Sequence, residues 1–154
     1  MAKPKHKHKS LVPQFDPNKV QDTTYLNKNV AFKTITQTGN DQKVIVSLRL
    51  VQEDYQCFSS WSKQEMDAFW DFNRKIHDYS WQDVLAQGGK PGNKVGFGYT
   101  EITRDQYPSP QFKATISPDV QFFELRVNQT IRVHGFRDGQ IFYICWLDKN
   151  HDLT

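Results

Sequence analysis

The C-terminal part of the chain has the clearest alternation of apolar and polar positions. In residues 120–149, "VQFFELRVNQTIRVHGFRDGQIFYICWLDK", Leu125 and Val127 alternate with polar neighbours, and so do Ile131 and Val133. A period of two residues is typical of strands that bury one face. We therefore predict three strands joined by short turns, which form an antiparallel meander.

The length of the first bend in this meander decides which side chains share a face. A two-residue loop would place Arg126 opposite Ile131, so that the apolar faces of the two strands disagree. A three-residue loop, residues 128–130, places Arg126 opposite Arg132. Because an unpaired arginine is costly to bury, we predict the three-residue loop.

The second bend contains Asp138-Gly139, which is a strong signal for a two-residue hairpin turn. Counting inward from this turn gives three cross-strand pairs: Phe136 with Ile141, His134 with Tyr143, and Arg132 with Cys145. The alternate residues of the last strand, Phe142, Ile144 and Trp146, then face the other side, which we expect helices to cover. The same count continues past Leu147 and Lys149 to His151. The uncovered face is therefore predicted to present Arg126, Arg132, His134, Tyr143 and His151.

The apolar period changes to that of helices between residues 59 and 89. Ser62 followed by Glu65 is a capping-box pattern, and it predicts a helix start. The predicted apolar face of this helix consists of Met66, Phe69, Trp70, Asn73, Ile76 and His77. His77 could serve as a base, although a histidine at a helix end is more often structural.

A second, shorter helix is predicted directly after the first. Ser80 followed by Asp83 repeats the capping pattern, and Gly88-Gly89 would end the helix. Trp81, Val84 and Leu85 are its apolar positions. Residues 89–120 are rich in Gly, Pro and Ser, and predict a long loop with one possible strand at 94–102.

Residues 28–51 predict two further strands around a turn at 38–41. In the second of these strands, Val44, Val46, Leu48 and Leu50 share one face. The whole pattern predicts an α+β fold in which two helices pack on one face of a curved antiparallel sheet, in the order β-hairpin, helix, helix, three-stranded meander. This domain covers residues 28–154 and follows a mobile basic arm, residues 1–27.

Composition limits the chain to one domain. It has 154 residues, of which 37% are hydrophobic, enough for one core but too few for two. No apolar run is long enough to span a membrane and the N-terminal residues are polar, so we expect a cytoplasmic protein without membrane contact. Cys57 and Cys145 fit two reduced thiols better than a disulfide framework.

The positive charge is concentrated in the N-terminal residues. The net charge is +3, but without Lys3, Lys5, Lys7 and Lys9 the chain has 16 basic and 17 acidic residues. Affinity for nucleic acid would therefore depend on the arm and on local clusters. The candidate RNA-binding lysines are Lys3, Lys5, Lys7, Lys9, Lys90, Lys94 and Lys113. His6 and His8 could bind a transition metal, although a solvated arm is the simpler interpretation.

The predicted polar face fits RNA cleavage without a metal or other cofactor. Arginines can stabilise charge on a pentavalent phosphorus, and histidine or tyrosine can transfer protons. Two arginines opposite each other, Arg126 and Arg132, repel and so favour a bound anion. That anion is a phosphate group or a neighbouring carboxylate such as Glu124 or Asp148. The sequence has no H-E-x-x-H motif, no paired-cysteine motif and no serine nucleophile elbow.

The order of elements and the segment "ELRVNQTIRVHGFRDGQIFYICWLDKNHDL" resemble the RelE/ParE superfamily of toxins from type II toxin-antitoxin systems. In that family a Leu-Arg pair begins the meander, an arginine follows about six residues later, and a hairpin with an apolar strand precedes a terminal His or Tyr. The matching positions are Leu125-Arg126, Arg132, residues 138–147 and His151. The resemblance covers about residues 43–152.

The resemblance implies a toxin that cleaves mRNA as a metal-independent, ribosome-dependent endoribonuclease, with a cognate antitoxin protein as partner. It assigns catalysis to Arg126, Arg132, Tyr143 and His151, whereas His134 comes from the alternation alone. The ParE branch implies instead a non-catalytic inhibitor of DNA gyrase. The additional N-terminal strand, the long loop and the lysine arm depart from the family pattern and leave the general base open.

An RNA-binding module is a third interpretation. "GFGYTEI", residues 96–102, approaches the aromatic RNP1 strand of RNA-recognition motifs, in which rings stack on bases. Phe97 would be such a ring. Against this interpretation, "KVIVSLRL" at 43–50 offers no partner aromatic residue.

Overall fold

A computed structural model describes residues 39–87 and 96–154, and both ranges belong to one compact unit, Thr36–Thr154. These residues form an α+β fold with a five-stranded mixed sheet. The predicted arm at 1–27, with Lys3, Lys5, Lys7 and Lys9, lies outside the described residues. So do the predicted strand before residue 39, the Gly88-Gly89 stop and the loop lysines Lys90 and Lys94.

The described elements follow one another in the order strand, two helices, strand, helix and three strands. The strands are β1 (Ile45–Ser47), β2 (Thr100–Ile102), β3 (Phe122–Arg126), β4 (Arg132–Asp138) and β5 (Ile141–Asp148). The α-helices are α1 (Lys63–Ile76), α2 (Trp81–Ala86) and α3 (Pro110–Ala114). Short 3-10 helices occur at Phe58–Ser60 and Arg104–Gln106.

The sheet has the strand order β1-β5-β4-β3-β2 and one parallel pair. β1 runs parallel to β5, with Ile45 opposite Ile141 and Ser47 opposite Tyr143. The prediction of a wholly antiparallel sheet is therefore wrong at this edge. A parallel pair needs a long crossover connection, which here includes all three α-helices and the other three strands.

The first bend of the meander has the predicted register. Arg126 lies opposite Arg132, and the Val127 N–H donates to the Ile131 carbonyl oxygen at 3.0 Å. The Asn128 side-chain oxygen accepts from the Ile131 N–H at 2.7 Å and so closes the bend. The three-residue loop is confirmed.

The second bend turns one residue later than predicted. Asp138 pairs with Ile141, so the two turn residues are Gly139 and Gln140 rather than Asp138 and Gly139. Gly139 has a φ of 57°. A glycine at the first central position is the pattern of a type II′ turn, whereas the predicted turn required it at the second.

A β-bulge in β5 changes which face its last residues occupy. Gly135 lies opposite Ile144, but His134 lies opposite Trp146, so Cys145 is the additional residue. Trp146 consequently lies on the side away from the helices, and the prediction that it faces them is wrong. The bulge requires glycine at 135, because a Cβ there would overlap the carbonyl oxygen of Tyr143.

The helices pack on one face of the sheet, and both predicted capping boxes are present. Ser62 accepts from the Glu65 N–H, and Ser80 accepts from the Asp83 N–H. The buried stripe of α1 differs from the predicted one, because Trp70 is 43% exposed. Phe72 is buried instead, and it forms an i, i+3, i+7 row with Phe69 and Ile76. The helix-side core includes Phe69, Phe72, Ile76, Trp81, Val84, Leu125, Val133, Phe142, Ile144 and Leu147.

The opposite face of the sheet carries a second core, so the predicted uncovered polar face is wrong. Residues 103–120 cover this side, where Tyr107 stacks on Trp146 with 4.4 Å between ring centroids. The Arg104 guanidinium holds the segment by donating to three carbonyl oxygens, those of Lys113, Ile116 and Ser117. Lys113, a predicted RNA contact, directs its ammonium group to the carbonyl oxygens of Arg104 and Tyr107.

Both cysteines are free thiols, as predicted. Cys57 is partly exposed, whereas Cys145 lies in the second core, where burial raises the pKa of its thiol to about 12. Among the helices in residues 39–87 and 96–154, none combines the length and apolarity needed to cross a membrane.

Candidate functional site

A cleft of about 270 Å³ opens at the end of the sheet where β2, β3 and β4 meet the C-terminal residues. We call it the first cleft. Its lining residues are Gly98, Thr100, Ile102, Glu124, Arg126, Arg132, His151 and Thr154. Two guanidinium groups, one carboxylate and one imidazole therefore border the same space.

The two arginines reach the cleft from adjacent strands. Arg126 ends β3 and lies against Gly98, whose Cα has no side chain to displace the guanidinium. Arg132 begins β4, is 7% exposed, and donates to the carbonyl oxygens of Asn128 and Ile131. Burial lowers the pKa of Arg132, and the charge of Arg126 lowers it further, while Glu124 and Asp148 raise it. The cleft thus holds two cations whose mutual repulsion an anion would relieve.

Glu124 lies between the charged groups of the cleft. Its carboxylate is 3.9 Å from Arg132 Nε, 3.8 Å from His134 Nε2 and 3.8 Å from His151 Nε2. It also accepts a hydrogen bond from the Thr154 hydroxyl at 3.2 Å. The side chain is buried, so this carboxylate neutralises part of the arginine charge from below the cleft surface.

A buried hydrogen-bonded row lies behind Glu124. His134 is fully buried; its Nδ1 is 3.1 Å from the Tyr107 hydroxyl and its Nε2 is 3.3 Å from Asp148 Oδ2. Burial raises the pKa of Tyr107, and the charges of Glu124 and Asp148 raise it further. Tyr107 therefore keeps its proton, and the His134 ring bridges the Tyr107 hydroxyl and the Asp148 carboxylate.

Asp148 anchors the residues that follow β5. Its carboxylate accepts from the backbone N–H groups of Asp152 at 2.8 Å and Leu153 at 3.1 Å. Burial acts to raise the pKa of Asp148, but the hydrogen bonds from His134, Asp152 and Leu153 outweigh it and lower the pKa. His151 adopts a left-handed backbone with a φ of 61°, and its side chain reaches the cleft.

Of the five predicted catalytic residues, the structure brings Arg126, Arg132 and His151 together at the first cleft. His134 lies behind the cleft in the buried row. Tyr143 lies apart, because it pairs with Phe136 and stacks on that ring at 5.3 Å, four residues along β4 from Arg132. This separation is about 13 Å at the usual rise of a strand.

His151 reaches the cleft by a different route from the predicted one. Alternation past Leu147 placed it on the polar face, but the bulge moves Leu147 into the helix-side core. The chain then leaves the strand after Asp148 and turns back toward Glu124.

Five lining residues were not among the predicted site residues: Gly98, Thr100, Ile102, Glu124 and Thr154. Glu124 lies two residues before Arg126, so the alternation of β3 places both on one face. From the sequence, Glu124 is predicted only as an acid that could neutralise the arginines. Gly98 and Thr100 come from the possible strand predicted at 94–102, which the structure shows as β2 at Thr100–Ile102. The pairing of β2 with β3 places Thr100 opposite Glu124, and Gly98, two residues earlier, lies against the Arg126 guanidinium.

His77 has a structural role. Its Nε2 accepts from the Val46 N–H at 3.3 Å, and its Nδ1 contacts the Asn73 carbonyl oxygen. Nε2 therefore joins the end of α1 to β1, and Nδ1 bonds within α1, which leaves neither ring nitrogen for a base.

Phe97 is also structural. It is 3% exposed and packs edge-to-face against Phe72 and Tyr79, at centroid distances of 5.7 and 5.1 Å. The ring therefore does not stand on an open sheet surface, as the RNP1-like interpretation requires.

In residues 39–87 and 96–154, no group of three or more His, Cys, Asp or Glu side chains is arranged to hold a metal ion. Comparison of the chain with protein-family models, curated proteins and solved structures gave no match. The relation to RelE and ParE toxins therefore stays a prediction, and functional inference depends on the first cleft.

Proposed function

We propose that the protein is an endoribonuclease that cleaves mRNA at the first cleft without a metal ion, as the toxin of a toxin-antitoxin system. The observation that carries this proposal is the meeting of Arg126, Arg132, Glu124 and His151 around one open space. Guanidinium groups bind phosphate through paired donors and stabilise the charge that develops on a pentavalent phosphorus.

The reaction would use the RNA's own 2′-hydroxyl as nucleophile. His151 takes the hydroxyl proton, the 2′-oxygen attacks phosphorus, and the bond to the 5′-oxygen breaks as that oxygen takes a proton from water. The products are a 2′,3′-cyclic phosphate and a 5′-hydroxyl end. His151 is the natural proton acceptor, because its side chain is 35% exposed whereas that of Glu124 is 6% exposed.

Glu124 acts in this scheme as a positioning residue. Its carboxylate lies 3.8 Å from His151 Nε2 and favours the protonated imidazole that forms during the attack. Tyr143 has no part in the scheme, since it lies at the far end of the hairpin. A cognate antitoxin and the ribosome are partners that the family resemblance adds.

The experiment measures cleavage of bare RNA with a chelator present, and cleavage of mRNA in a translating extract without the chelator. In both cases it identifies the chemical ends produced. We expect Arg126→Gln to slow cleavage about 10²–10³-fold through lost phosphate contacts. We expect His151→Ala to slow it about 10²–10⁴-fold, with partial rescue by added imidazole. Arg49→Gln, an exposed arginine outside the first cleft, is the matched control.

Circular dichroism and urea unfolding establish that each variant is folded. The proposal is wrong if the folded wild-type chain cleaves neither substrate, or if Arg126→Gln and Arg49→Gln have equal activity. Growth inhibition that persists in Arg126→Gln and tracks DNA damage would point to the gyrase alternative instead.

A further inference from the structure

A second cleft adjoins the first, and the guanidinium-bearing side chain of Arg126 lines both. The second cleft has a volume of about 250 Å³ and lies between α1 and the end of β3. A nucleotide whose phosphate is held at Arg126 in the first cleft could therefore place its base in the second.

One wall of the second cleft is apolar. It is formed by Ala68 on α1, by Phe97 and by Val127 at the end of β3. The contacts of Phe97 with Phe72 and Tyr79 fix this wall in place. The faces of a nucleobase are planar and of low polarity. Such a ring can therefore pack against a fixed apolar wall.

The rim of the second cleft combines an acceptor and a donor. Asp71 and Lys75 are one turn apart on α1 and both line the cleft. The pairing edge of guanine offers two adjacent N–H donors beside a carbonyl oxygen. The donors match the Asp71 carboxylate, and the oxygen matches the Lys75 ammonium. Adenine, cytosine and uracil do not present two adjacent donors to a carboxylate.

The present partner of Asp71 does not prevent this use. Asp71 pairs with Arg74 at 3.0 Å, but both side chains are more than 70% exposed. Exposed pairs of this kind contribute little, so the carboxylate can exchange its partner for a base.

We propose that the second cleft binds the nucleobase beside the phosphate held in the first cleft, and that it prefers guanine. This inference rests on the proposed function, because it assumes that RNA occupies the first cleft. It adds a base preference that the cleavage chemistry alone does not require.

The test uses the full-length chain and short fluorescent RNA oligonucleotides that are 2′-O-methylated and therefore cannot be cleaved. The oligonucleotides differ only at the positions flanking one phosphate, which carry guanine, adenine, cytosine, uracil or no base. At one of these positions we expect guanine to bind about tenfold more tightly than the abasic nucleotide. Fluorescence anisotropy gives the dissociation constants.

Two variants with matched controls address the cleft itself. Asp71→Asn should remove the guanine preference, whereas Asp67→Asn, one turn earlier on α1 and outside the cleft, should keep it. Ala68→Leu should fill the cleft and reduce guanine binding to the abasic level. Ala86→Leu, at the exposed end of α2, should not.

Equal binding of all four bases and of the abasic oligonucleotide overturns the inference. A preference for another base, or one that Asp71→Asn does not change, overturns it as well. If binding and cleavage still depend on Arg126 in these cases, the proposed function stands. If the wild-type chain neither binds nor cleaves RNA, both fail.

Discussion

Glu124 is the residue around which the polar groups of the first cleft are arranged. Its carboxylate lies within 4 Å of Arg132, His134 and His151, and it accepts a hydrogen bond from Thr154. A buried carboxylate among cations offsets the cost of burying Arg132. Arg126 lines the same cleft from the end of β3.

The pH dependence of stability should report on Asp148. Hydrogen bonds lower the pKa of this buried carboxyl from the ordinary value of 3.8, so it stabilises the fold above that value. The contribution is lost as the pH falls through the folded-state pKa. We expect Asp148→Asn to lower the free energy of unfolding by about 1–3 kcal/mol at pH 7 and by less near pH 3. Urea unfolding across this range measures the difference.

The exposed Asp138, at the tip of the β4–β5 hairpin, supplies the control. Asp138→Asn should change the stability little at either pH. A loss in Asp148→Asn that stays constant from pH 7 to pH 3 would contradict the assigned role. Other titratable groups lie near this carboxyl, namely His134, Glu124 and Tyr107. Both variants keep these groups, so the difference between the variants reports on Asp148.

Much of the first cleft follows from local alternation. Arg126 and Arg132 share a face because the bend between them spans three residues, which apolar matching alone could predict. The sequence did not predict that this face is covered. The covering residues, 103–120, are distant in sequence and show no clear hydrophobic period. His134 is therefore buried, although its position on the face was correct.

At the scale of elements, short-range signals were reliable and long-range pairing was not. Both helix starts follow from side chains three residues apart, Ser62 with Glu65 and Ser80 with Asp83. The parallel contact of β1 with β5 joins residues almost a hundred positions apart and has no local pattern. The bulge in β5 has one local sign, the glycine at 135.

Gly135 should tolerate substitution poorly. In Gly135→Ala the new Cβ would overlap the backbone of Tyr143, so the strands must separate or lose the bulge. We expect the free energy of unfolding to fall by about 3 kcal/mol. Because the bulge also sets the face of Trp146 and Asp148, cleavage activity should fall with it. Urea unfolding and the cleavage assay measure the two effects.

Gly139→Ala is the comparison within the same hairpin. A Cβ at 139 meets no atom within 4 Å, and only the φ of 57° opposes it. An alanine in the left-handed backbone conformation lowers the free energy of unfolding by about 1 kcal/mol. Equal losses in the two variants would mean that the bulge does not depend on the missing side chain at 135.

At the scale of the whole molecule, the sheet is covered on both faces by different kinds of structure. Helices α1 and α2 cover one face, and the less regular residues 103–120 cover the other. The first cleft opens at the edge between these layers, lined by residues from β2, β3 and β4 and from the C-terminal segment. The two packed layers therefore support a site whose residues come from several distant parts of the chain.

The charge distribution predicts how RNA binding responds to salt. Without Lys3, Lys5, Lys7 and Lys9 the chain has a net charge of −1, so long-range attraction should come mainly from these four lysines. Each neutralised phosphate contributes about −0.7 to the slope of log K against log salt for single strands. Replacing all four lysines with glutamine should therefore make the slope shallower by up to about 3. Titrations of uncleavable RNA between 50 and 200 mM salt measure it.

A Lys43→Gln, Lys63→Gln double variant is the matched control, because both lysines are exposed and line neither cleft. Its slope should stay close to that of the wild-type chain. Arg126→Gln should weaken binding at every salt concentration but change the slope by about 0.7 at most, since it removes one phosphate contact. An unchanged slope in the four-lysine variant would show that the arm does not contact RNA and that the clefts alone provide the affinity.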